Sequence, residues 1–94
     1  MKIFWAGQFK RDYKQVVKNL KEPDQFRAEL KEVITILAAG KKLDDSYTAN
    51  RLNAKGVGWY DCYVYLDIVM IYCIMGERVI FSRLGKCSEL YKES

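Results

Sequence analysis

Apolar residues recur in the first half of this chain with the period of an α-helix. Between Gln8 and Leu20 they fall at spacings of three and four. The same spacing returns between Asp24 and Ala39, after a break at Pro23 and before Gly40, which suit a helix start and a helix end. The apolar positions are Phe9, Tyr13, Val16, Val17, Leu20, Phe26, Leu30, Val33, Ile34 and Leu37. The spacing predicts two consecutive helices that form a hairpin.

The remaining apolar runs are short and strand-like. Met1 to Ala6 is one, and three more follow at about 59–66, 68–75 and 78–84, with a hairpin turn at Gly76. The run 68–75 is apolar throughout, which is typical of a central strand covered on both faces. These runs predict a single α+β domain over residues 1–94, in the order β-α-α-β-β-β, with the helical hairpin packed on a small, mostly antiparallel sheet.

Two segments depart from these periods. Residues 41–58 are polar, aperiodic and contain glycine, which predicts a long loop, and loops of that length are often functional or mobile. The chain ends in a basic segment, Arg83-Leu84-Gly85-Lys86-Cys87, which we expect to be a turn, with an aromatic residue, Tyr91, shortly after it. Cations and an aromatic ring at the end of a sheet suit the binding of a phosphodiester.

Alternation along the strand 59–66 divides its side chains between the two faces of the sheet. Trp59, Asp61, Tyr63 and Tyr65 fall on one face, while Tyr60, Cys62, Val64 and Leu66 fall on the other and are expected in the core. The first row is compatible with stacking on bases of single-stranded RNA. It is equally compatible with an ordinary ladder of aromatic pairs between strands.

The composition limits which acid–base groups and metal sites the chain can use. The chain has 94 residues, a net charge of +4 and no histidine, so any acid–base chemistry must use other groups. The positive charge suits either solubility or a polyanionic partner. The three cysteines, at 62, 73 and 87, form no C-x-x-C pair, so we expect reduced thiols, no zinc site and no cofactor. We expect neither a signal peptide nor a membrane span, and therefore a soluble cytoplasmic protein.

At this point the chain resembles a known family. Gly58-Trp59-Tyr60-Asp61, the strand that begins Asp67-Ile68-Val69, and the ending from Phe81 to Tyr91 are similar to the YafQ branch of the RelE/ParE superfamily, the toxins of bacterial type II toxin–antitoxin pairs. The resemblance implies a ribosome-dependent mRNA interferase, an endoribonuclease that cuts mRNA in the ribosomal A site. The implied partners are the ribosome, mRNA and a cognate antitoxin in a hetero-oligomeric complex, with no membrane involved.

The resemblance also implies catalytic residues. Arg83 stands at the position of the family's phosphate-binding arginine, Asp67 at its acidic position and Tyr91 at its terminal aromatic. YafQ-like enzymes have histidines where this chain has Asn50, Tyr63 and Cys87, and a tryptophan at Ile68. Cys87 is therefore a candidate for proton transfer, although a packing role is the simpler interpretation.

Candidate RNA-binding residues complete the set. Lys55 and Lys86 could hold or protonate phosphate oxygens, as in RelE-like enzymes that work without histidine. Tyr91 could stack on a base or act as general base, which would require neighbouring cations to lower its pKa. The RNA-binding candidates are Lys55, Lys86, Trp59, Tyr63 and Asn50.

Two other functions remain open. The loss of the family histidines also fits a catalytically weak or inert relative that binds an antitoxin and serves autorepression. ParE-like toxins share the fold and act on DNA gyrase, but the Arg83 to Tyr91 ending argues against that alternative.

Overall fold

The computed structural model describes residues 1–43, 50–51 and 58–91 of the chain. The elements in chain order are β1 (Lys2–Trp5), α1 (Gly7–Asn19), α2 (Pro23–Ala38), β2 (Asn50–Arg51), β3 (Gly58–Tyr65), β4 (Ile68–Met75), β5 (Arg78–Lys86) and α3 (Cys87–Leu90). The predicted α+β class and the predicted helical hairpin are confirmed.

The five strands form one sheet in the order β1-β5-β4-β3-β2. β3, β4 and β5 are joined by consecutive antiparallel hairpins. The turn between β4 and β5 contains Gly76 at a φ of 59°, a left-handed conformation that glycine adopts without steric cost. β1 lies parallel to β5, with Lys2 aligned with Arg78 and Trp5 with Phe81, so the N-terminal strand forms one edge of the sheet.

The core lies between the sheet and the two helices. Phe26 and Val33 of α2, and Val79 and Phe81 of β5, have no exposed surface. The remaining predicted stripe residues are buried or pack against this core. β4 is covered on both faces as expected, because Met70 belongs to the helix-side core while Val69, its neighbour on the opposite face, is only 1% exposed.

Three details of the prediction for residues 59–91 are wrong. Leu66 is 74% exposed rather than buried, because it lies in the β3–β4 turn with a φ of 52°. A register shift between Tyr63 and Tyr65 places Tyr65 opposite Ile68, and its ring contacts Phe26 at a centroid distance of 6.2 Å, on the helix side. The expected basic turn is the final part of β5, which runs through Lys86 and leads directly into α3.

The segment predicted as a long loop contains a short strand. In β2, Asn50 is aligned with Asp61 and Arg51 with Tyr60, which extends the sheet beyond β3. The rest of that prediction lies outside the described residues, apart from the first positions after α2. No helix in the described part of the chain is long and apolar enough to cross a membrane.

Candidate functional site

The face of the sheet that α1 and α2 do not cover, called the open face below, carries Trp59, Asp61 and Tyr63 of β3. The strand register places Asn50, Asp61, Ile71 and Arg83 in one row across β2, β3, β4 and β5. Since neighbouring strands are about 4.8 Å apart, the backbones of Asp61 and Arg83 lie roughly 10 Å apart across this row.

Tyr91 returns to the open face because α3 turns the chain back over the sheet. Its hydroxyl donates a hydrogen bond to Oδ2 of Asp61. Burial raises the pKa of Tyr91 well above its usual range, and the hydrogen bond to Asp61 and the charge of that carboxylate raise it further. Tyr91 is therefore a neutral phenol at physiological pH. A phenolate base would need neighbouring cations that lower its pKa. The immediate partner of Tyr91 is instead an anion.

A second pair lies beside the first. The hydroxyl of Tyr63 donates to Sγ of Cys87 over 3.4 Å, and the backbone N–H of Cys87 donates to the carbonyl oxygen of Asp67 over 2.8 Å. The start of α3 is thereby fixed to the β3–β4 turn. The hydrogen bond to Cys87, followed by the neighbouring charges, raises the pKa of Tyr63. Both phenols of the open face thus favour the protonated form.

Arg83 is held by an aspartate from the first helix. Its Nε donates to Oδ2 of Asp12 over 2.8 Å, and the backbone N–H of Leu84 donates to the same oxygen over 3.0 Å. Because β1 is aligned with β5 only as far as Phe81, α1 can contact the outer edge of β5 beyond that point. Burial opposes ionisation of Asp12, but the hydrogen bonds from Arg83, Gln8 and Leu84 outweigh it and lower the pKa.

The structure brings only some of the sequence-predicted residues together. Tyr91, Tyr63, Cys87 and the Asp67 backbone lie at one end of the open face around Asp61. Trp59 lies two residues from Asp61 on the same strand and the same face.

Lys86, in contrast, is aligned with Ile68 and lines a cleft beside Gln15, Asn19 and Glu89, on the helix side of the sheet. Asn50 is described only by its backbone position in the row, and Lys55 lies outside the described residues.

Two residues that matter to the site were not among the sequence candidates. Strand alternation placed Asp61 on the correct face, but its contact with Tyr91 depends on how α3 turns. Asp12 lies among the cations of α1, and its pairing with Arg83 joins positions 71 residues apart. The local sequence pattern around these residues predicts neither contact.

The other two cysteines are buried: Cys62 lies in the helix-side core, whereas Cys73 is aligned with Trp59 on the open-face side of β4. Cys62 has no exposed surface, and burial raises the pKa of its thiol to about 12. Burial also raises the pKa of Cys73. Within residues 1–43 and 58–91, no three histidine, cysteine, aspartate or glutamate side chains are grouped closely enough to hold a metal ion.

Comparisons with known proteins identify the family and relatives of the same fold. A family model described as the bacterial toxin of a type II toxin–antitoxin system, YafQ, matches residues 1–92. The structure is similar to YafQ in the Escherichia coli DinJ–YafQ complex, with a TM-score of 0.82 and 27% identity over 96% of this chain and 97% of that one. YafQ from E. coli strain BL21(DE3) gives a TM-score of 0.81 with the same identity and coverage.

A third similar structure is a copper-bound L66S mutant toxin from Helicobacter pylori, with a TM-score of 0.78 and 25% identity over 96% of this chain and 98% of that one. No curated protein sequence is significantly similar to this chain.

Proposed function

The chain belongs to the YafQ family of bacterial type II toxin–antitoxin toxins, and from this premise we propose that it is an endoribonuclease that cleaves mRNA in the ribosomal A site and is neutralised by a cognate antitoxin. The observation that carries the proposal is the row across the open face. It has a fixed arginine at one end and a hydrogen-bonded Tyr91–Asp61 pair near the other.

Each group in this row suits one part of RNA cleavage by the 2′-hydroxyl. The guanidinium of Arg83 would bind oxygens of the scissile phosphate and stabilise the charge that grows there in the transition state. Asp61 would receive a proton through Tyr91: the phenol oxygen accepts the 2′-hydroxyl proton while its own proton passes to the carboxylate. The 2′-oxygen then bonds to phosphorus as the bond from phosphorus to the 5′-oxygen breaks.

The leaving 5′-oxygen requires a proton donor. Tyr63 is suited to this role, since its raised pKa keeps it protonated and it lies beside Cys87 at the same end of the open face. This scheme needs no histidine. It assigns proton transfer to two tyrosines and an aspartate instead of the imidazoles of YafQ-like enzymes.

The test is cleavage in a purified translation system. The chain would be added to ribosomes stalled at a defined codon, and the 5′ ends of the mRNA fragments mapped by primer extension. We expect cuts at the A-site codon, none in mRNA without ribosomes, and a strong reduction for Tyr91→Phe, which keeps the ring but removes the hydroxyl. Intact mRNA with folded wild-type protein would overturn the proposal and favour the inert antitoxin-binding alternative.

The antitoxin would occupy a groove on the opposite side of the molecule. This groove, of about 570 Å³, lies between β1, α1 and α2. Apolar groups of Trp5, Phe9, Leu30 and Ile34 line it. Four cationic residues also line the groove: Lys10, Lys14, Arg27 and Lys31. Among the described residues, no acidic one does so. An apolar floor with a basic rim fits an acidic amphipathic segment of the antitoxin, disordered until it binds.

A pair of charge reversals tests this partner. Lys14→Glu changes a cation on the rim of the groove and should weaken antitoxin binding and make its dependence on salt shallower, because less attraction remains for salt to screen. Lys18→Glu makes the same change on the same helix outside the groove lining, and it should bind nearly as the wild type does. Equal affinities in calorimetry would place the antitoxin elsewhere.

A further inference from the structure

The contact between Asp12 and Arg83 differs from an ordinary surface ion pair in the burial of its two partners. The side chain of Asp12 is only 11% exposed, whereas that of Arg83 is 44% exposed. The guanidinium is therefore bound on its inner side by a carboxylate in the protein surface, while its outer side faces solvent. In another ion pair, Asp24–Arg27, the aspartate is 97% exposed.

Asp12 is itself fixed independently of Arg83. The backbone N–H of Leu84 donates to Oδ2, and Nε2 of Gln8 donates to Oδ1 over 2.9 Å. One of these donors belongs to β5 and the other to the same helix as Asp12. The carboxylate thus keeps its place whether or not the arginine is bound to it, and its lowered pKa keeps it charged at neutral pH.

Which atom of Arg83 contacts Asp12 determines which N–H groups of the guanidinium remain free to bind a phosphate. The carboxylate takes the Nε–H of Arg83. A guanidinium held at Nε retains the N–H groups of its two terminal nitrogens, and a phosphate needs two parallel N–H donors for bidentate binding. Holding Nε also restricts rotation of the planar group, so less conformational entropy remains to be lost when a phosphate binds.

We propose that Asp12 is a positioning residue, which orients the guanidinium of Arg83 so that its terminal nitrogens face a phosphate of the RNA on the open side. The proposal rests on the proposed function, because it takes Arg83 as the phosphate ligand. It adds a residue of the first helix, 71 positions away in sequence, to the machinery of the site.

Binding can be tested without cleavage. The Nε–H resonance of Arg83 would be followed by NMR during titration with a 2′-deoxy dinucleotide, which binds through its phosphate and cannot be cut. Asp12→Asn keeps the shape of the side chain and removes its charge. It should speed exchange of the Nε–H with water. It should also weaken binding roughly 3- to 10-fold, the range expected when one long side chain is no longer held in advance and must be immobilised on binding. Asp24→Asn, the matched control, should change neither quantity.

Cleavage supplies the second test. Asp12→Ala should lower kcat by a similar factor with little change in the KM for ribosomes, and it should have no further effect in an Arg83→Ala background. A loss in both backgrounds, in proportion to a fall in thermal stability, would make Asp12 merely structural. A faster Asp12→Ala enzyme or tighter dinucleotide binding would mean that the carboxylate weakens Arg83 instead. Both results overturn the proposal.

These outcomes separate the inference from the function on which it rests. If the wild-type protein leaves mRNA intact and the Asp12→Asn variant binds the dinucleotide less tightly than the wild type does, the endoribonuclease proposal is refuted and the positioning role is kept. A wild type that cuts mRNA, with an Asp12→Asn variant that binds the dinucleotide and cuts equally well, refutes the positioning role alone.

Discussion

Replacing Arg83 by alanine separates the catalytic and structural contributions of one side chain. If its guanidinium binds the scissile phosphate in the transition state, its loss removes one charge-stabilising donor. Losses of this kind cost about 10²- to 10³-fold in rate, or roughly 3–4 kcal/mol. Binding to the ribosome should change far less, because it would be spread over several lysines and arginines. Arg83→Lys should recover only part of the rate, because lysine keeps the charge but lacks the planar pair of donors.

The structure adds a stability cost that sequence alone would not predict. Arg83→Ala leaves Asp12 with its bonds from Gln8 and Leu84 but removes its charged partner. Because the arginine is nearly half exposed, solvent screens the pair, and we expect a loss of only about 0.5–1 kcal/mol. For a domain of this size that corresponds to a Tm lowered by roughly 2–8 °C.

Single-turnover cleavage on stalled ribosomes and a thermal melt would measure the two effects separately. Arg78→Ala is the matched control, because Arg78 is exposed on the same strand and lies over the ring of Phe4 at the opposite end. We expect it to cut within about twofold of the wild-type rate, since it is remote from the Tyr91–Asp61 pair. If folded Arg83→Ala also cuts within that factor, Arg83 is only a surface cation and the assignment of the phosphate site is wrong.

Three further predictions concern the titratable groups. Cys87→His places an imidazole beside Tyr63 and, if it takes over the proton transfer assigned to that phenol, should move the optimum of the pH–rate profile toward the imidazole range near 6.5; an unchanged profile would leave proton transfer with Tyr63 and the Tyr91–Asp61 pair. Asp61→Asn should lower the pKa of Tyr91, but not fully to that of free tyrosine because burial remains; NMR titration of ring-labelled protein measures this, and an unchanged pKa would contradict the contact. An alkylating reagent at pH 8 should modify Cys87 before Cys62 and Cys73, which are buried with raised pKa values; mass spectrometry of the labelled peptides would reveal any other order.

Most of the fold could be predicted because periodicity is a local property. Each helix stripe and each strand run indicates which side of an element faces the core, and the observed bounds of these elements differ from the predicted ones by at most two residues. The errors occur where a single residue breaks the period. Leu66 entered a two-residue turn, and the register shift after Tyr63 moved Tyr65 to the other face. Neither event alters composition or spacing in a way that a sequence reveals.

The site was less predictable because its contacts join distant parts of the chain. Tyr91 meets Asp61 across 30 residues, and Arg83 meets Asp12 across 71. A positively charged segment suggested a cationic site, yet the groups around Tyr91 and Tyr63 include two aspartates and raise both phenolic pKa values. Lys86 lies on the helix side because strand alternation, rather than nearness in sequence to Arg83, decides which face it occupies.

The parallel pairing of β1 with β5 affects when the sheet can be completed during synthesis of the chain. Lys2 is made first but is aligned with Arg78, roughly 75 positions later, so β1 has no partner strand until the last strand of the sheet has been translated. At 5–20 residues per second, that interval lasts roughly 4–15 s. Arg83 lies within this last strand, and Tyr91 follows it. The open face therefore cannot form until the chain has been translated through Tyr91, and any cleavage that depends on this face, as proposed above, can begin only after that point.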